Sequence, residues 1–172
     1  MTTLLLVRHG ETDWNADGRL QGHTDRPLSD FGRRQGRQLA GELADEELEA
    51  IYASDLARAR ETAEIVGERL GMAAVLDWDL REKDWGTWEG LTAVERDRVE
   101  FVGESTEAHQ ERILRALRRI AEQHPGGRVL VVTHGGSMRR VQAAALGMAL
   151  PVVENCGVWI CACEDGTFRP VD

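Results

Sequence analysis

Two segments place a reactive side chain directly after an apolar run of the kind that forms a buried strand. Leu4 to Val7 precedes Arg8 and His9, and Val129 to Thr133 precedes His134. Such runs predict strands buried on both faces, so the side chains that follow lie where open α/β sheets bind ligands. An imidazole there can attack phosphorus, and a guanidinium can neutralise the attacked phosphate. The sequence therefore predicts His9 as a nucleophile and Arg8 as its cationic neighbour.

Arg58 is a third cation that the predicted elements bring towards the same place. It lies in the first turn of a helix that Ser54 and Asp55 are expected to cap. A helix N-terminus carries partial positive charge and free N–H groups, so an arginine there favours anion binding. If the two apolar strands are neighbours, both imidazoles reach this site. The residues predicted to bind a dianion such as a phosphoryl group are Arg8, His9, Arg58 and His134.

The segment 80–90 supplies candidates for the acid that a departing alkoxide needs. It holds Glu82 near two tryptophans, and a carboxyl group among aromatic rings can keep its proton towards neutral pH. Such a group can protonate the leaving group and then take a proton from water. Glu82 is the best candidate, but residue types alone do not distinguish it from Asp84 or Glu89. The alternative for Glu82 is a salt bridge to Arg81 or Arg58.

Apolar strands alternate with helical segments along the chain, which predicts a three-layer α/β/α fold. The central sheet is expected to be largely parallel, with helices on both faces, and residues 1–172 to form one domain. Strands are predicted at 4–7, 50–53, 73–76, 129–133, 158–163 and 167–170, the last two as a hairpin. Helices are predicted after Ser29, Asp55, Ser105 and His134, and over 91–99.

Several side chains are assigned by helical spacing or by type. Phe31, Leu39 and Leu43 fit one buried helix face, and Arg60 is expected to pair with Glu64. The residues expected to form a solvated basic face are Arg112, Arg115, Arg118 and Arg119. The histidines assigned no role are His23, His109 and His124. The cysteines expected as small, mostly buried side chains are Cys156, Cys161 and Cys163.

Composition excludes some classes of function. The 172 residues carry a formal net charge of −9, whereas nucleic-acid binders normally carry a basic excess. No apolar run approaches the length of a membrane span, and we expect a cytoplasmic monomer or homodimer. No metal or other cofactor is predicted, and the expected partner is a small phosphorylated metabolite.

These segments resemble the motifs of the histidine phosphatase superfamily, which includes cofactor-dependent phosphoglycerate mutases and related phosphatases. The resemblance covers nearly the whole chain, and its motifs follow in the family's order. The segments that carry it are 8–12, 14–15, 21–22, 54–63, 80–90, 103–105 and 132–136.

The resemblance implies a phosphoglycerate mutase-like fold and two in-line transfers without a metal. It implies that His9 becomes phosphohistidine and that Glu82 donates and then accepts a proton. The residues implied to hold the phosphoryl oxygens are Arg8, Arg58 and His134. The residues implied to line the pocket are Asn15, Gln21, Gly22 and Gly135.

The segment 90–105 is shorter than the cap of many relatives in this family. A small cap makes it harder to exclude water from a phosphoenzyme, which favours hydrolysis over transfer. We therefore expect a phosphomonoesterase acting on a sugar, sugar-acid, nucleoside or amino-acid phosphate, with Lys83 and Trp85 shaping its choice. The alternatives are a mutase, a metallohydrolase using both strand-end histidines, and a phosphate-binding module without activity.

Overall fold

The computed structural model describes residues 1–171, so Asp172, the last residue of the predicted domain, lies outside the described residues. The strands are β1 (Thr2–Arg8), β2 (Ala50–Ala53), β3 (Ala74–Leu76), β4 (Arg128–Thr133), β5 (Val158–Glu164) and β6 (Thr167–Pro170). The helices are α1 (Asp13–Ala16), α2 (Asp30–Glu42), α3 (Ala57–Leu70), α4 (Ala93–Arg96), α5 (Thr106–Gln123) and α6 (Gly135–Leu146). Two short 3₁₀ turns, Trp78–Leu80 and Gly86–Trp88, precede α4.

All six strands belong to one sheet with the order β3-β2-β4-β1-β5-β6. The first four strands in this order are parallel. The β5–β6 hairpin extends the sheet, with β5 antiparallel to β1 and β6 antiparallel to β5. The predicted α/β class and largely parallel sheet are therefore confirmed. Because both ends of the chain contribute strands to the same sheet, we infer that the chain forms a single domain.

The sheet is buried on both faces, which explains the continuous apolar runs of its central strands. Along β1, Leu4 and Leu6 point into one core and Leu5 and Val7 into the other, as the two-residue period of a strand requires. The first core is completed by apolar residues of α5 and α6, and the second by those of α2 and α3. This arrangement gives the predicted three layers.

The structure corrects the predicted start of α3. Its N-cap is Leu56, without a side-chain cap, and the hydroxyl of Ser54 accepts a hydrogen bond only from the Leu56 N–H. A carboxylate from a distant loop takes the capping role, because Asp25 Oδ1 accepts a 2.7 Å hydrogen bond from the Ala57 N–H. Asp55 instead pairs with Arg81. The sequence alone gives no sign of a cap supplied from thirty residues away.

Two other expectations are wrong in detail. Phe31 is 47% exposed, because α2 packs through its small residues Gly32 and Gly36 together with Leu39. A Cβ on Gly32 would lie 2.1 Å from the carbonyl oxygen of Glu11, so only glycine permits this approach. The predicted helix over 91–99 shrinks to the four residues of α4.

The segment between α4 and α5 folds back over the preceding turns. Thr87 donates its backbone N–H to the carbonyl of Val102 and its hydroxyl to the carbonyl of Glu100, and the Trp88 indole donates to the carbonyl of Val99.

Among the helices described for residues 1–171, none has the length and apolar character to cross a membrane.

Candidate active site

The ends of β1 and β4 bring the two predicted histidines together. The two strands are hydrogen-bonded neighbours, and Arg8 lies opposite Thr133 in the register. His9 and His134 therefore leave the sheet at the same level, and their ring centroids are 5.1 Å apart at an angle of 60°. Both imidazoles are buried. The juxtaposition inferred from two distant apolar runs is present in the structure.

The tautomer of His9 follows from its hydrogen bond. Its Nδ1 lies 2.7 Å from the carbonyl oxygen of Gly10 and, since a carbonyl only accepts, Nδ1 carries the proton. Burial lowers the pKa of His9 well below 6.5, and the charge of Arg58 lowers it further. The ring is thus neutral at pH 7, and Nε2 keeps the lone pair that a nucleophile needs. The Gly10 N–H is fixed in turn by the hydroxyl of Thr62, on α3, at 3.0 Å.

Arg58 lies one residue inside α3 and is almost completely buried. Its guanidinium donates to the carbonyls of Gly22 at 2.7 Å and Thr24 at 3.1 Å, so the loop after α1 holds it in place. Burial lowers its pKa to about 10, which still leaves it cationic at neutral pH. Gly22, implied by the resemblance to line the pocket, thus contributes its carbonyl to the arginine.

Arg8 is the second cation, and Gly135 allows it to lie against α6. Arg8 Nη1 donates to the carbonyl of Val153 at 2.9 Å. A Cβ on Gly135 would lie 3.3 Å from Arg8 Nε and 2.7 Å from a methyl of Val152. The first residue of the helix must therefore be very small for this packing.

Four buried nitrogens at the centre of the site have no hydrogen-bond partner among residues 1–171. They are Nε of Arg8, Nε of Arg58, and Nδ1 and Nε2 of His134. A buried polar atom without a partner costs about 1–3 kcal/mol, and more for a charged group. Four such atoms in one place are therefore unusual. The two arginine nitrogens and one nitrogen of the neutral His134 ring carry hydrogens, and a tetrahedral anion with several acceptor oxygens matches these three donors. We call Arg8, His9, Arg58 and His134 the inner group.

Glu82 lies at the edge of the inner group and is held by backbone donors. Its Oε2 accepts from the N–H of Gly136, in the first turn of α6, at 2.8 Å, and its Oε1 accepts from the Lys83 N–H at 2.8 Å. The expected alternative, a salt bridge to Arg81, does not form, because Arg81 donates twice to Asp55. The carboxylate is thus oriented by donors on α6 and its own loop.

The predicted pocket residues of the first loop form a connected network. Thr12 and Asn15 cap α1 reciprocally, and the Thr12 hydroxyl donates to Gln21 at 2.8 Å. Asn155, just before β5, donates to the carbonyl of His9 at 2.9 Å and to the Asn15 side chain at 3.3 Å. The side chains of the loop are therefore tied to the backbone of the candidate nucleophile.

A cavity of about 450 Å³ joins these parts, which is within the range of small-ligand sites. It includes every predicted site residue except His134. The residues that line it are Arg8, His9, Asn15, Arg19, Leu20, Gln21, Gly22, Arg58, Glu82, Trp85, Arg96, Gly135, Gly136, Arg139 and Val152. We call Arg19, Arg96 and Arg139 the outer arginines. Asp84 and Glu89, the other acid candidates, are not among the lining residues; Glu89 accepts from the backbone of His23 and Thr24 instead.

The structure also corrects two assignments on α5. Arg112, predicted on a solvated face, is buried and pairs with Glu104 at 2.8 Å. It also donates to the carbonyls of Asp79, Arg81 and Glu82. His109, given no role, is 2% exposed beside Glu82. No helical spacing signals this pairing, because Glu104 lies eight residues before Arg112 and outside α5.

Other assignments agree with the structure. Arg60 and Glu64 lie 3.6 Å apart, and Cys161 and Cys163 are buried on one face of β5. His23, also given no role, donates from Nε2 to the carbonyl of Glu82 at 2.9 Å.

Within residues 1–171, no group of three or more His, Cys, Asp or Glu side chains is arranged to hold a metal ion.

Comparison with known proteins gives a family match and close relatives. The model of the "Histidine phosphatase superfamily (branch 1)" matches residues 4–171. "Phosphoglycerate mutase-like protein 4" of Arabidopsis thaliana is 38% identical over 161 residues, which span 83% of this chain and 70% of the relative. The "Metal-independent phosphoserine phosphatase" of the same plant is 36% identical over an alignment of 179 positions, and the match spans 90% of this chain and 75% of that protein.

A solved structure shows the same fold. The structure of "Bacillus stearothermophilus YhfR" superposes with a TM-score of 0.92 at 35% identity, and the match covers 99% of this chain and 96% of that one. The predicted resemblance is therefore confirmed by sequence and by architecture.

Proposed function

This chain belongs to the histidine phosphatase superfamily and is a phosphomonoesterase of that type, and we propose that it hydrolyses small phosphorylated metabolites through a phosphohistidine formed on His9. His9 is the nucleophile, and Glu82 is the proton donor and acceptor. Arg8, Arg58 and His134 bind the phosphoryl oxygens. Neither half of the reaction requires a metal ion.

In the first half of the reaction, Nε2 of His9 attacks phosphorus in line with the ester oxygen. The N–P bond forms as the P–O bond to the leaving group breaks, and the protonated carboxyl of Glu82 gives its proton to the departing oxygen. The neutral state of His9 and its Nδ1–H bond to Gly10 support this role. General acid catalysis of this kind contributes about 10²- to 10⁴-fold.

In the second half, a water molecule attacks the phosphohistidine. The Glu82 carboxylate takes a proton from that water while the water oxygen bonds to phosphorus. The N–P bond breaks and releases inorganic phosphate and neutral His9. The two halves leave Glu82 protonated again. The hydrogen bond from Gly136 keeps the carboxylate next to the reacting oxygen in both halves.

The unpartnered nitrogens of the inner group carry this proposal. Buried donors that are already fixed by the fold need no rearrangement when charge develops on the transferring phosphoryl group, and this is the most effective form of electrostatic catalysis. Gly135, Asn15, Gln21 and Gly22 line the cavity around this group and bind substrate in the proposal.

The outer arginines indicate what the rest of the substrate carries. Arg19, Arg96 and Arg139 line the same cavity as the inner group, and Arg96 Nε is buried without a partner among residues 1–171. A leaving group with its own negative charge, such as a carboxylate, would pair with them. Phosphoserine, the substrate in the name of one relative, has such a group. We therefore place phosphorylated acids ahead of neutral sugar phosphates.

A phosphate-release assay tests the proposal directly. We expect release from phosphoserine, 3-phosphoglycerate or a related ester, with EDTA present and without a bisphosphate primer. His9→Ala should lower kcat by at least about 10³-fold, because it removes the nucleophile, while its urea unfolding curve keeps the cooperativity of the wild type. Wild type quenched in alkaline detergent should contain base-stable, acid-labile phosphate that His9→Ala lacks. Full activity of the alanine variant would contradict the mechanism.

Phosphoryl transfer within one substrate is the second candidate, since one relative bears a mutase-like name. A mutase would interconvert 2- and 3-phosphoglycerate and would need priming by a bisphosphate. We expect phosphate release to exceed isomerisation, because the cap between residues 90 and 105 is short and the cavity is open to water. Phosphorus NMR of a single reaction mixture measures both products.

A further inference from the structure

A histidine that the proposed mechanism does not use lies directly behind Glu82. His109, in the first turn of α5, is 2% exposed, and its Nε2 is 3.7 Å from Glu82 Oε1. The same nitrogen is 2.9 Å from the hydroxyl oxygen of Ser137, on α6. A buried imidazole this close to Glu82 can influence where the carboxyl lies.

The hydrogen bonds around Ser137 fix the tautomer of His109. Ser137 donates its hydroxyl proton to the carbonyl of Arg81 at 3.1 Å. Its oxygen can therefore only accept from His109, which places the proton on Nε2. That N–H also lies within electrostatic reach of Oε1 of Glu82, although 3.7 Å is too long for a hydrogen bond. Ser137 and His109 thus connect α5, α6 and the loop that carries Glu82.

Glu82 lies between two cavities, and His109 lines the second. This second cavity has a volume of about 130 Å³, and its wall shares Glu82, Trp85, Gly136 and Arg139 with the main one. It has room for a few water molecules, since each occupies about 30 Å³ in the liquid. His109 is therefore placed on the side of the carboxyl away from the inner group.

The charged groups around His109 come from every element that packs against it. Glu82 and Lys83 lie on the loop before α4, Glu104 lies just before α5, Arg112 is on α5 itself, and Arg140 is on α6. His134 is near enough for their charges to interact. Burial lowers the pKa of His109 below 6.5, and Arg112 and Arg140 lower it further against the opposite effect of the two glutamates. The ring is neutral at neutral pH.

We propose that His109 is a positioning residue for Glu82. Its neutral imidazole, anchored through Ser137, packs behind the carboxyl and holds it facing the leaving group. This inference rests on the proposed role of Glu82 as the acid.

The test compares His109→Leu with His109→Gln, and takes His124→Gln, remote from the site, as the matched control. For an alkyl phosphate such as phosphoserine, His109→Leu should lower kcat/KM about tenfold, because the carboxyl is no longer held beside the leaving group. For nitrophenyl phosphate, which needs little protonation, the change should stay below about threefold. His109→Gln keeps a donor for Ser137 and should recover most of the loss, and His124→Gln should match the wild type.

The outcomes separate this inference from the proposed function. Equal losses on both esters would show a merely structural role and overturn the inference. Wild-type kinetics in both His109 variants would overturn it as well. The proposed function fails instead if His9→Ala keeps its activity, or if Glu82→Gln loses the same factor on both esters. Urea unfolding of each variant shows that the compared proteins are folded.

Discussion

At the scale of single residues, the candidate site combines a neutral imidazole with fixed cations. A histidine in water is about half protonated near pH 6.5, and only its neutral fraction can attack. Burial and the charge of Arg58 lower the pKa of His9, so the arginine proposed to bind the phosphate also keeps the proposed nucleophile neutral. The cations are held by backbone carbonyls of Gly22, Thr24 and Val153, and their Nε atoms have no partner among residues 1–171.

Replacement of the proposed acid should affect esters according to their leaving groups. We expect Glu82→Gln to lower kcat/KM for phosphoserine by about 10²- to 10⁴-fold, because the departing alkoxide loses its proton donor. Nitrophenyl phosphate, whose leaving group is already stable, should lose less than about tenfold. The measurement is kcat/KM on both esters at one pH, since this ratio reports the first irreversible step. A uniform loss would argue against Glu82 as the acid.

The buried histidines also make stability depend on pH. His9, His109 and His134 all have pKa values below 6.5 in the folded protein, so the unfolded chain takes up protons first as the pH falls. Stability is therefore fully present above the unfolded pKa and decreases below about pH 6.5. Each histidine can contribute up to about 1.4 kcal/mol per pH unit.

Urea unfolding between pH 7.5 and 5.5 checks this prediction. The free energy of unfolding should fall across that range in the wild type, and His134→Gln should reduce the slope by up to about 1.4 kcal/mol per pH unit. A flat profile in the wild type, or an unchanged slope in the variant, would contradict it.

Residue types and spacing were enough to predict the inner group, but not the residues that support it. His9 and His134 follow apolar strands, and their meeting required only that two such strands be neighbours. Arg112 and His109 lie on a helix whose charged residues look solvated in sequence. Their burial depends on Glu104 and on the loop at 79–82 packing against that helix, which is tertiary information.

At the scale of elements, the ends of strands and helices converge on one edge of the sheet. β1 and β4 deliver the histidines, α3 delivers Arg58 from its first turn, and α6 presents the Gly136 N–H to the acid. These are the positions where regular structure stops and backbone groups lose their internal partners. The inner group therefore lies at the ends of regular elements, whereas Glu82, Gln21 and Gly22 lie in connecting segments.

Substitution of Gly136 should affect esters according to their leaving groups, as substitution of Glu82 does. A Cβ there would lie 2.3 Å from Glu82 Oε1, so Gly136→Ala must push the carboxylate out of place. We expect kcat/KM for phosphoserine to fall at least about tenfold, with a smaller loss for nitrophenyl phosphate and a nearly unchanged Kd for inorganic phosphate. Calorimetric titration with phosphate measures the last quantity. Ala145→Gly, in the last turns of the same helix, serves as the control, and a variant as active as wild type would refute the prediction.

The strands and the starts of α2, α5 and α6 were predicted almost to the residue, whereas the start of α3 and the path of the cap were not. Val-, Leu- and Ile-rich runs that are buried on both faces have few other possible structures, so β1, β2 and β4 followed from sequence. The start of α3 depends on Asp25, which lies far away in the chain. The segment 91–99 has too few apolar residues to fix a helix. Its end at Val99 accepts from the Trp88 indole, and the residues that follow, Glu100 and Val102, accept from Thr87.

At the scale of the whole molecule, anion binding should stabilise the fold. A ligand that binds only the folded state adds RT ln(1 + [L]/Kd), which is about 2.7 kcal/mol at a concentration of 100 Kd. Inorganic phosphate should therefore raise the melting temperature relative to chloride at equal ionic strength. Arg58→Met should remove most of this increase, because the central cation is lost, whereas Arg60→Met, on the exposed side of α3, should keep it. An equal response to both anions would contradict a specific site.

The short cap places an aromatic wall beside the cavity rather than a lid over it. Trp85, Trp88 and Phe101 pack together, with the Lys83 ammonium 4.4 Å from the centre of the Trp85 ring. This wall is built within residues 83–101, and the inner group is contributed by other segments. The inner group and this aromatic part of the cavity wall are therefore carried by separate parts of the chain, while Arg19 and Arg139 line the cavity from outside residues 83–101.

That separation has an evolutionary and a practical consequence. New substrate preferences can arise by changes confined to one contiguous stretch of about twenty residues, while the strand ends stay as they are. A library that randomises only this stretch should yield folded proteins with altered selectivity far more often than one of equal size spread over the whole gene.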